Sequence, residues 1–391
     1  MKLSHRASSI GESATLRVTR RAAELRAQGV SVVDLGAGEP DFPSPPCAVE
    51  AARRALADGF TRYTPGSGLP ELRAALAESY GRRFGAPWKA ADSIITVGGK
   101  AALFQLALAL FEEGQEVVLP SPCWVSFPEQ IQFAGARPVT VPTCVEDGFR
   151  IHAGPLLEAV TGRTRALLLN SPCNPTGGIV EAADLRQIVA FAAERGLLVI
   201  SDETYERFVY SDSGAHASAA ALAAEFPETV VVVGSFSKTY AMTGWRIGYL
   251  LGPAPVVRAV EAIQSHATSN PTSFAMVGAL EALRHAEPEV KVMVAEYRAR
   301  REMLVPLLNG IPGFRCRPPD GAFYAFPEVS ACFGPGRENS GALAEYLLEE
   351  AGVAVVPGAA FGAENHIRIS FACSRDTLAQ GLERIAAALA V

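Results

Sequence analysis

Lys238 stands between two hydroxyls and a guanidinium, in Ser235-Phe-Ser-Lys238 followed by Met242-Thr-Gly-Trp-Arg246. Its neighbourhood is apolar, with a run of valines before it and Tyr240-Ala-Met242 after it. A lysine withdrawn from water has a lowered pKa, the condition an amine needs to attack a carbonyl and form a Schiff base. Ser235, Ser237 and Arg246 are donors suited to a phosphate. An isolated loop lysine is far more often simply solvated, so Lys238 takes its meaning from these neighbours. Upstream, Val97-Gly-Gly-Lys100 opens a helix and turns backbone N–H groups toward any anion at the positive end of the helix dipole. Glycine before a helix is also a common tight turn. Asp202, in Ser201-Asp-Glu-Thr-Tyr205, ends the apolar run 197–200. A carboxylate there either caps a loop or holds a protonated ring nitrogen, which keeps a pyridine cofactor as an electron sink.

A fifth segment, Asn170-Ser-Pro-Cys-Asn-Pro-Thr-Gly177, completes the set. From about 93 to 252, β-rich runs alternate with helical patterns, the signature of an α/β sheet. Strands are expected over 93–97, 116–120, 137–142, 165–170, 197–202, 230–234 and 246–251, with helices over 100–111 and 182–195. All five segments fall at or just after the C-terminal ends of these strands, or in the loop leading to the next, where α/β sheets bind ligands. Only about ten residues separate the last two strands, too few for a helical crossover, so one strand must run antiparallel to the rest. Beyond 290 the pattern changes to a long charged helix (291–308), strands near 313–317, 322–327, 353–356 and 366–371, and a final helix near 376–389. That grouping reads as a smaller α+β domain. The division expected is 1–45 as an N-terminal arm and part of the small domain, with a helix near 15–28. The large domain then spans 46–290 and the small domain 291–391.

The 391 residues suffice for two cores. A net charge of −6 argues against a nucleic-acid or anionic-membrane partner. The seven cysteines are scattered without a C-x-x-C pair and read as reduced thiols of a cytoplasmic protein. No H-E-x-x-H occurs and the six histidines lie far apart, so no metal is expected. No apolar run reaches membrane-spanning length, and the basic N-terminus has no apolar core of a secretory signal.

Taken in order, N-P-T-G, S-D-E-x-Y, S-x-S-K and G-W-R-I-G resemble the class I/II aminotransferases of pyridoxal 5′-phosphate (PLP) fold type I. The branch most similar is the bacterial (type Ib) aspartate aminotransferases. The similarity runs from Gly36-Ala-Gly-Glu-Pro-Asp41 to Ile367-Arg-Ile-Ser370. It implies a large PLP-binding α/β domain with a mostly parallel sheet, a smaller α+β domain, and transfer of an amino group between an L-amino acid, aspartate or glutamate first, and a 2-oxo acid.

Carried over by position, the resemblance makes Lys238 the residue that bonds the cofactor and then moves the proton at the substrate Cα. Asp202 would pair with the ring nitrogen, Asn174 and Tyr205 with the phenolic oxygen, and Trp124 would stack on the ring. The phosphate would fall to the Gly99, Lys100 and Ala101 backbone with Ser235, Ser237 and Arg246. Tyr63 would reach the phosphate of the other subunit, which implies a homodimer with shared active sites. Arg368 would fork onto the substrate α-carboxylate, with Gly38 assisting through its backbone and Trp124 and Asn174 lining the same pocket. Lys100, Ser13 and Thr15 match the positions that bind the distal carboxylate in aspartate-using members.

Three residues depart from the family pattern. Cys123 and Cys173 replace an aromatic residue and an asparagine, and Thr204 replaces an apolar residue. They leave the cofactor machinery intact and open the alternative of a PLP enzyme that turns the same carbanion to elimination, cyclisation or C–C bond formation. Rivals outside the fold fail. Ser235-Phe-Ser-Lys238 fits S-x-x-K, but S-D-N, K-T-G and G-x-S-x-G are absent. Gly99-Lys100 lacks the phosphate-loop glycine, since Ile94 stands there, and Ala101 replaces the Mg²⁺-binding hydroxyl. No basic helix-turn-helix precedes residue 30, so a PLP-binding transcription regulator is not indicated.

Overall fold

The computed structural model describes residues 14–210 and 214–390, together with Ser4, Ser8 and Gly11. A short strand β1 (Val33–Asp34) precedes the main sheet. That sheet holds β2 (Ser93–Thr96), β3 (Glu116–Ser121), β4 (Arg137–Pro142), β5 (Thr164–Asn170), β6 (Leu198–Asp202), β7 (Val230–Ser235) and β8 (Gly248–Leu251). Their order is β2-β8-β7-β6-β5-β3-β4.

Buried strands with helices on both faces read as continuous apolar runs rather than alternations. β7 shows why: Val230 and Val232 join one core cluster, whereas Val231 and Val233 join another on the opposite face. Leu167 and Leu169 of β5 are separated from Ala166 and Leu168 in the same way, as the period of two demands. β8 pairs antiparallel with both neighbours, Ser235 opposite Gly248 on one side and Thr96 opposite Gly248 on the other. The chain between β7 and β8 holds only the one-turn helix Phe236–Thr239 and the 3-10 turn Thr243–Trp245, which confirms the expected reversal. The other pairings are parallel, so β5, β6 and β7 end side by side with Asn170 opposite Asp202.

Prolines and glycines punctuate the helices that flank this sheet. Pro46 and Pro70 open the helices Pro46–Ala57 and Pro70–Phe84, where a missing N–H costs nothing, and Gly85 at φ 71° ends the second. The helix Gly98–Leu110 is apolar on nearly all sides because it lies between the sheet and the helix Ala254–Ala267.

Past residue 290 the strands are shorter than the sequence reading gave. Of 322–327 only β9 (Tyr324–Ala325) pairs, because Ala322 takes a left-handed φ of 58° and Pro327 has no N–H to offer. The stretch 313–317 keeps a single bridge, Arg315 to Glu328, hemmed in by Pro312, Pro318 and Pro319. The apolar run at 353–356 divides into β10 (Val353–Ala354), parallel to β1, and β11 (Val356–Pro357), antiparallel to β12 (Ile367–Ser370). β9 completes the order β11-β12-β9. The long helix runs Glu287–Asn309, starting earlier than expected because Pro288 and two acidic residues suit a first turn. A separate core gathers Phe323, Tyr297, Phe371 and Ile369 with Val33, Leu35 and, from just past β6, Tyr205 and Phe208. Among the described residues no helix is long and apolar enough to cross a membrane.

Candidate active site

The C-terminal edge of the sheet and the facing end of β12 enclose a cleft of about 340 Å³. Gly38, Gly99, Lys100, Trp124, Asn174, Asp202, Tyr205, Ser235, Ser237, Lys238, Arg246 and Arg368 all line it. Ala101 lies one residue behind, in the helix, without lining the cleft. Tyr63 is 88% exposed and takes no part in this chain's own cleft. Ser13 and the side chain of Thr15 lie outside the described residues.

One end is built to hold an anion. Gly98 sits at φ +78°, and a Cβ there would lie 2.4 Å from Arg246 Nη2, so only glycine lets the guanidinium lie against the start of the helix. Arg246 is itself left-handed at φ 55° and donates through Nη1 to Thr243 O at 2.8 Å. Ser235 caps the short helix that carries the lysine: its Oγ accepts from Ser237 N at 3.0 Å and donates to Ser237 Oγ at 2.8 Å. Hydroxyls, a guanidinium and a helix N-terminus thus converge without a carboxylate among them.

The middle of the cleft holds Asp202, which is buried, and Lys238, which is half-buried. Burial pushes the Asp202 carboxyl up to about 6, and Glu203 adds to that, while the Thr204 side chain and N–H pull it back. Asp202 therefore remains largely ionised at neutral pH. The Lys238 amine is held down to about 8, first by burial, with Arg368, Arg246 and Lys100 acting in the same direction and Glu39 opposing. Its Nζ donates to Gly38 O. Asn170 braces the floor, donating from Nδ2 to Asp202 O at 3.1 Å and accepting from Asn174 N at 3.0 Å.

At the far end Arg368 is 3% exposed, and its hydrogen-bond acceptors among the described residues are neutral. Nη1 donates to Asn174 Oδ1 at 3.0 Å and Nη2 to Gly36 O at 2.7 Å, while Nε has no partner among the described residues. The guanidinium lies 4.4 Å from the Tyr324 ring centre. A buried guanidinium lacking a carboxylate is costly to fold around, so the arrangement suits an incoming anion. Lys100, at the cleft mouth, places Nζ 4.8 Å over the Trp124 ring. Its ammonium is lowered by burial and by Arg246.

The sequence reading gave no site role to Gly36, Leu103, Asn170, Thr243 and Tyr324, which also line the cleft. Tyr324 matters most, because its hydroxyl meets Tyr205 OH at 2.8 Å. A tyrosine in a short strand looks like core, and nothing local distinguishes it. Of the three departures, Cys123 and Cys173 lie behind the cleft around a void of about 10 Å³. Burial pushes their thiols up to about 12 and about 11, which keeps them neutral and unreactive. Thr204 does line the cleft.

These donors fit PLP. The anion end matches a phosphate, Asp202 a protonated ring nitrogen and Lys238 a carbonyl-reactive amine, and the unpaired Arg368 Nε remains for a substrate carboxylate.

The family Aminotransferase class I and II matches residues 30–385. A probable aspartate/prephenate aminotransferase of Aquifex aeolicus is 45% identical over 99% of this chain and 98% of its own length. An aspartate aminotransferase of Geobacillus stearothermophilus is 42% identical over 98% of both. The solved structure of an aspartate aminotransferase from Thermus thermophilus with maleate superposes with a TM-score of 0.94 at 43% identity, covering 99% of this chain and all of that one.

Proposed function

The chain belongs to the class I and II aminotransferases, PLP enzymes that move amino groups between amino acids and 2-oxo acids, and on that premise we propose L-aspartate as its amino donor. The observation that carries the donor assignment is the pair of cations at different depths, Arg368 buried and Lys100 at the mouth. A four-carbon dicarboxylate needs two such partners, and the solved Thermus thermophilus structure is that of an aspartate aminotransferase with maleate, another four-carbon dicarboxylate. Prephenate, named for the Aquifex relative, also has two carboxylates and suits the same pair as a 2-oxo acid acceptor.

When bound, PLP supplies a reactive carbonyl and a conjugated ring that accepts the electron pair released at the substrate Cα. The chain's residues do the rest in the following roles. Arg368 forks onto the α-carboxylate, with Asn174 and the Gly38 backbone beside it. Lys100 takes the distal carboxylate. Ser235, Ser237, Arg246 and the backbone from Gly99 to Ala101 hold the phosphate. Trp124 covers one face of the ring, Asp202 keeps the ring nitrogen protonated, and Asn174 and Tyr205 meet the phenolic oxygen. Lys238 Nζ, with a pKa of about 8, removes the Cα proton and returns one to the carbon that was the cofactor's carbonyl carbon, an amine well matched to its operating pH.

The same reading makes the enzyme a cytoplasmic homodimer. The 88% exposed Tyr63 supports it, as a side chain that serves the neighbouring subunit's phosphate. It also divides the chain into a large unit, 46–290, and a small unit of 291–391 with 1–45. The test is a single half-reaction: PLP-loaded protein mixed with L-aspartate and no 2-oxo acid should release about one oxaloacetate per site. L-alanine under the same conditions should release far less pyruvate. No oxaloacetate, or equal yields from both donors, would remove aspartate as the donor.

A further inference from the structure

Asn174 and Tyr205, the two residues assigned to the cofactor's phenolic oxygen, are each tied to Arg368 by a different route. Asn174 is tied directly, accepting through Oδ1 from Arg368 Nη1 at 3.0 Å. Tyr205 is tied through Tyr324. The two tyrosine hydroxyls lie 2.8 Å apart, and the Arg368 guanidinium lies 4.4 Å from the Tyr324 ring centre. Tyr324 has little freedom: it is 1% exposed, β9 pairs it with Ser370 of β12, and a Cβ on Gly38 would come within 3.1 Å of its hydroxyl. Among the described residues neither hydroxyl has another hydrogen-bond partner, and burial holds both protonated at neutral pH. One of their two protons fills the contact between them. The other is left for the cleft, which both residues line.

Resting on the assignment of Tyr205 to the phenolic oxygen, we propose that Tyr324 is a positioning residue whose hydroxyl donates to Tyr205 and so commits the Tyr205 proton to the cofactor. The direction follows from what each oxygen can do. An ionised phenolic oxygen only accepts, and Tyr205 carries a single proton. If that proton went to Tyr324, Tyr205 would face the cofactor with a lone pair, and the two oxygens would repel. With Tyr324 as donor the chain runs from Tyr324 to Tyr205 to the phenolic oxygen, each bond polarising the next. A donor aimed at the ionised oxygen favours the deprotonated form of the bound cofactor and lowers the pH at which it takes up its proton. Phenylalanine at 324 keeps a ring beside Arg368 and removes only this donor. The charged side chains that share the cleft with the pair are Arg368 on β12, Asp202 at the end of β6, Lys238, Arg246 and Lys100, and the substitution leaves all five in place.

The experiment loads the full chain with PLP and follows its absorbance from pH 5 to 10 in wild type, Tyr324→Phe, Tyr205→Phe and the double variant. The readout is the midpoint of the proton-linked spectral change, which a purely packing role for Tyr324 would leave in place. Tyr205→Phe should raise it by about one pH unit or more, the loss of a hydrogen bond to a charged group. Tyr324→Phe should raise it by about 0.2–0.6 of a pH unit, or about 1.5- to fourfold in proton affinity, the share that a second link adds to such a chain. The double variant should match Tyr205→Phe alone, because Tyr324 acts only through Tyr205. A Tyr324→Phe midpoint that superposes on wild type while Tyr205→Phe is shifted would overturn this inference and leave the Tyr205 assignment standing. Full additivity in the double variant would also overturn it, by giving Tyr324 a route to the cofactor that bypasses Tyr205. A Tyr205→Phe midpoint equal to wild type would remove the Tyr205 assignment itself, and the inference with it.

Discussion

Replacing Lys238 with methionine should make the cofactor-free protein more stable, although it destroys the enzyme. The amine is buried and falls from an ordinary value of 10.5 to about 8, which costs about 3 kcal/mol of folding free energy at any pH below 8. Methionine matches the length and carries no charge. It also leaves Gly38 O without its donor, which costs about 1 kcal/mol in return. A net gain of about 2 kcal/mol remains. With an unfolding entropy of roughly 2 cal/mol/K per residue, a chain of 391 residues should melt about 2–3 °C higher. The sign with pH is fixed by linkage. Between 8 and 10.5 the unfolded wild type holds the proton that the folded one has already lost, so wild-type stability climbs relative to the variant and the advantage vanishes above 10.5. Thermal melts of both proteins, stripped of PLP and held at one concentration, measure it. A Lys238→Met protein that melts at or below wild type at pH 7, or a difference that persists unchanged at pH 11, would refute the claim that a desolvated amine is held in place at a cost.

Three further outcomes are expected. Lys100→Ala should lower kcat/KM for aspartate by about 10- to 100-fold, the worth of one charge-assisted hydrogen bond, and leave neutral amino acids nearly unchanged. Arg368→Lys keeps the charge and loses the fork; steady-state kinetics should show kcat/KM down about 100-fold for acidic and neutral donors alike, because both carry the α-carboxylate. Tyr63→Phe should weaken PLP retention, read by dialysis and absorbance, while sedimentation shows the same dimer as wild type; unchanged retention would remove Tyr63 from the phosphate site.

Much of the cleft was legible because its chemistry is concentrated in short segments at strand ends. Asn170, Asp202 and Ser235 close β5, β6 and β7, and a sheet buried on both faces announces those strands as unbroken apolar runs. The reversal of β8 followed from chain length alone. Legibility fell where strands are two residues long. Ala322 and Pro327 confine β9 to Tyr324–Ala325 through backbone geometry, which apolar patterning does not encode. Tyr324 escaped for a related reason: its hydroxyl meets Tyr205 across 119 positions of chain, a contact that neither segment reveals by itself. Asn170 was visible as a strand end, but its bracing of Asp202 and Asn174 is a product of strand register.

Gly248, at the start of the reversed strand, fits so tightly under the helix start that a Cβ would come within 2.2 Å of Gly99 N. A Cβ on Gly234, which pairs with Tyr249 in the neighbouring strand, would meet that tyrosine's ring at 2.3 Å. With Gly98 pressed on Arg246, the phosphate end has no slack in which a side chain could be tried and kept. The substrate end is made differently, from side chains on well-separated stretches that can be exchanged singly: Lys100, Trp124 and Arg368. Mutational tolerance should therefore be lopsided across the cleft. A library randomised around Trp124 and Lys100 should yield folded, cofactor-loaded proteins with altered donors, whereas one randomised at Gly98, Gly234 and Gly248 should return almost nothing but the parent.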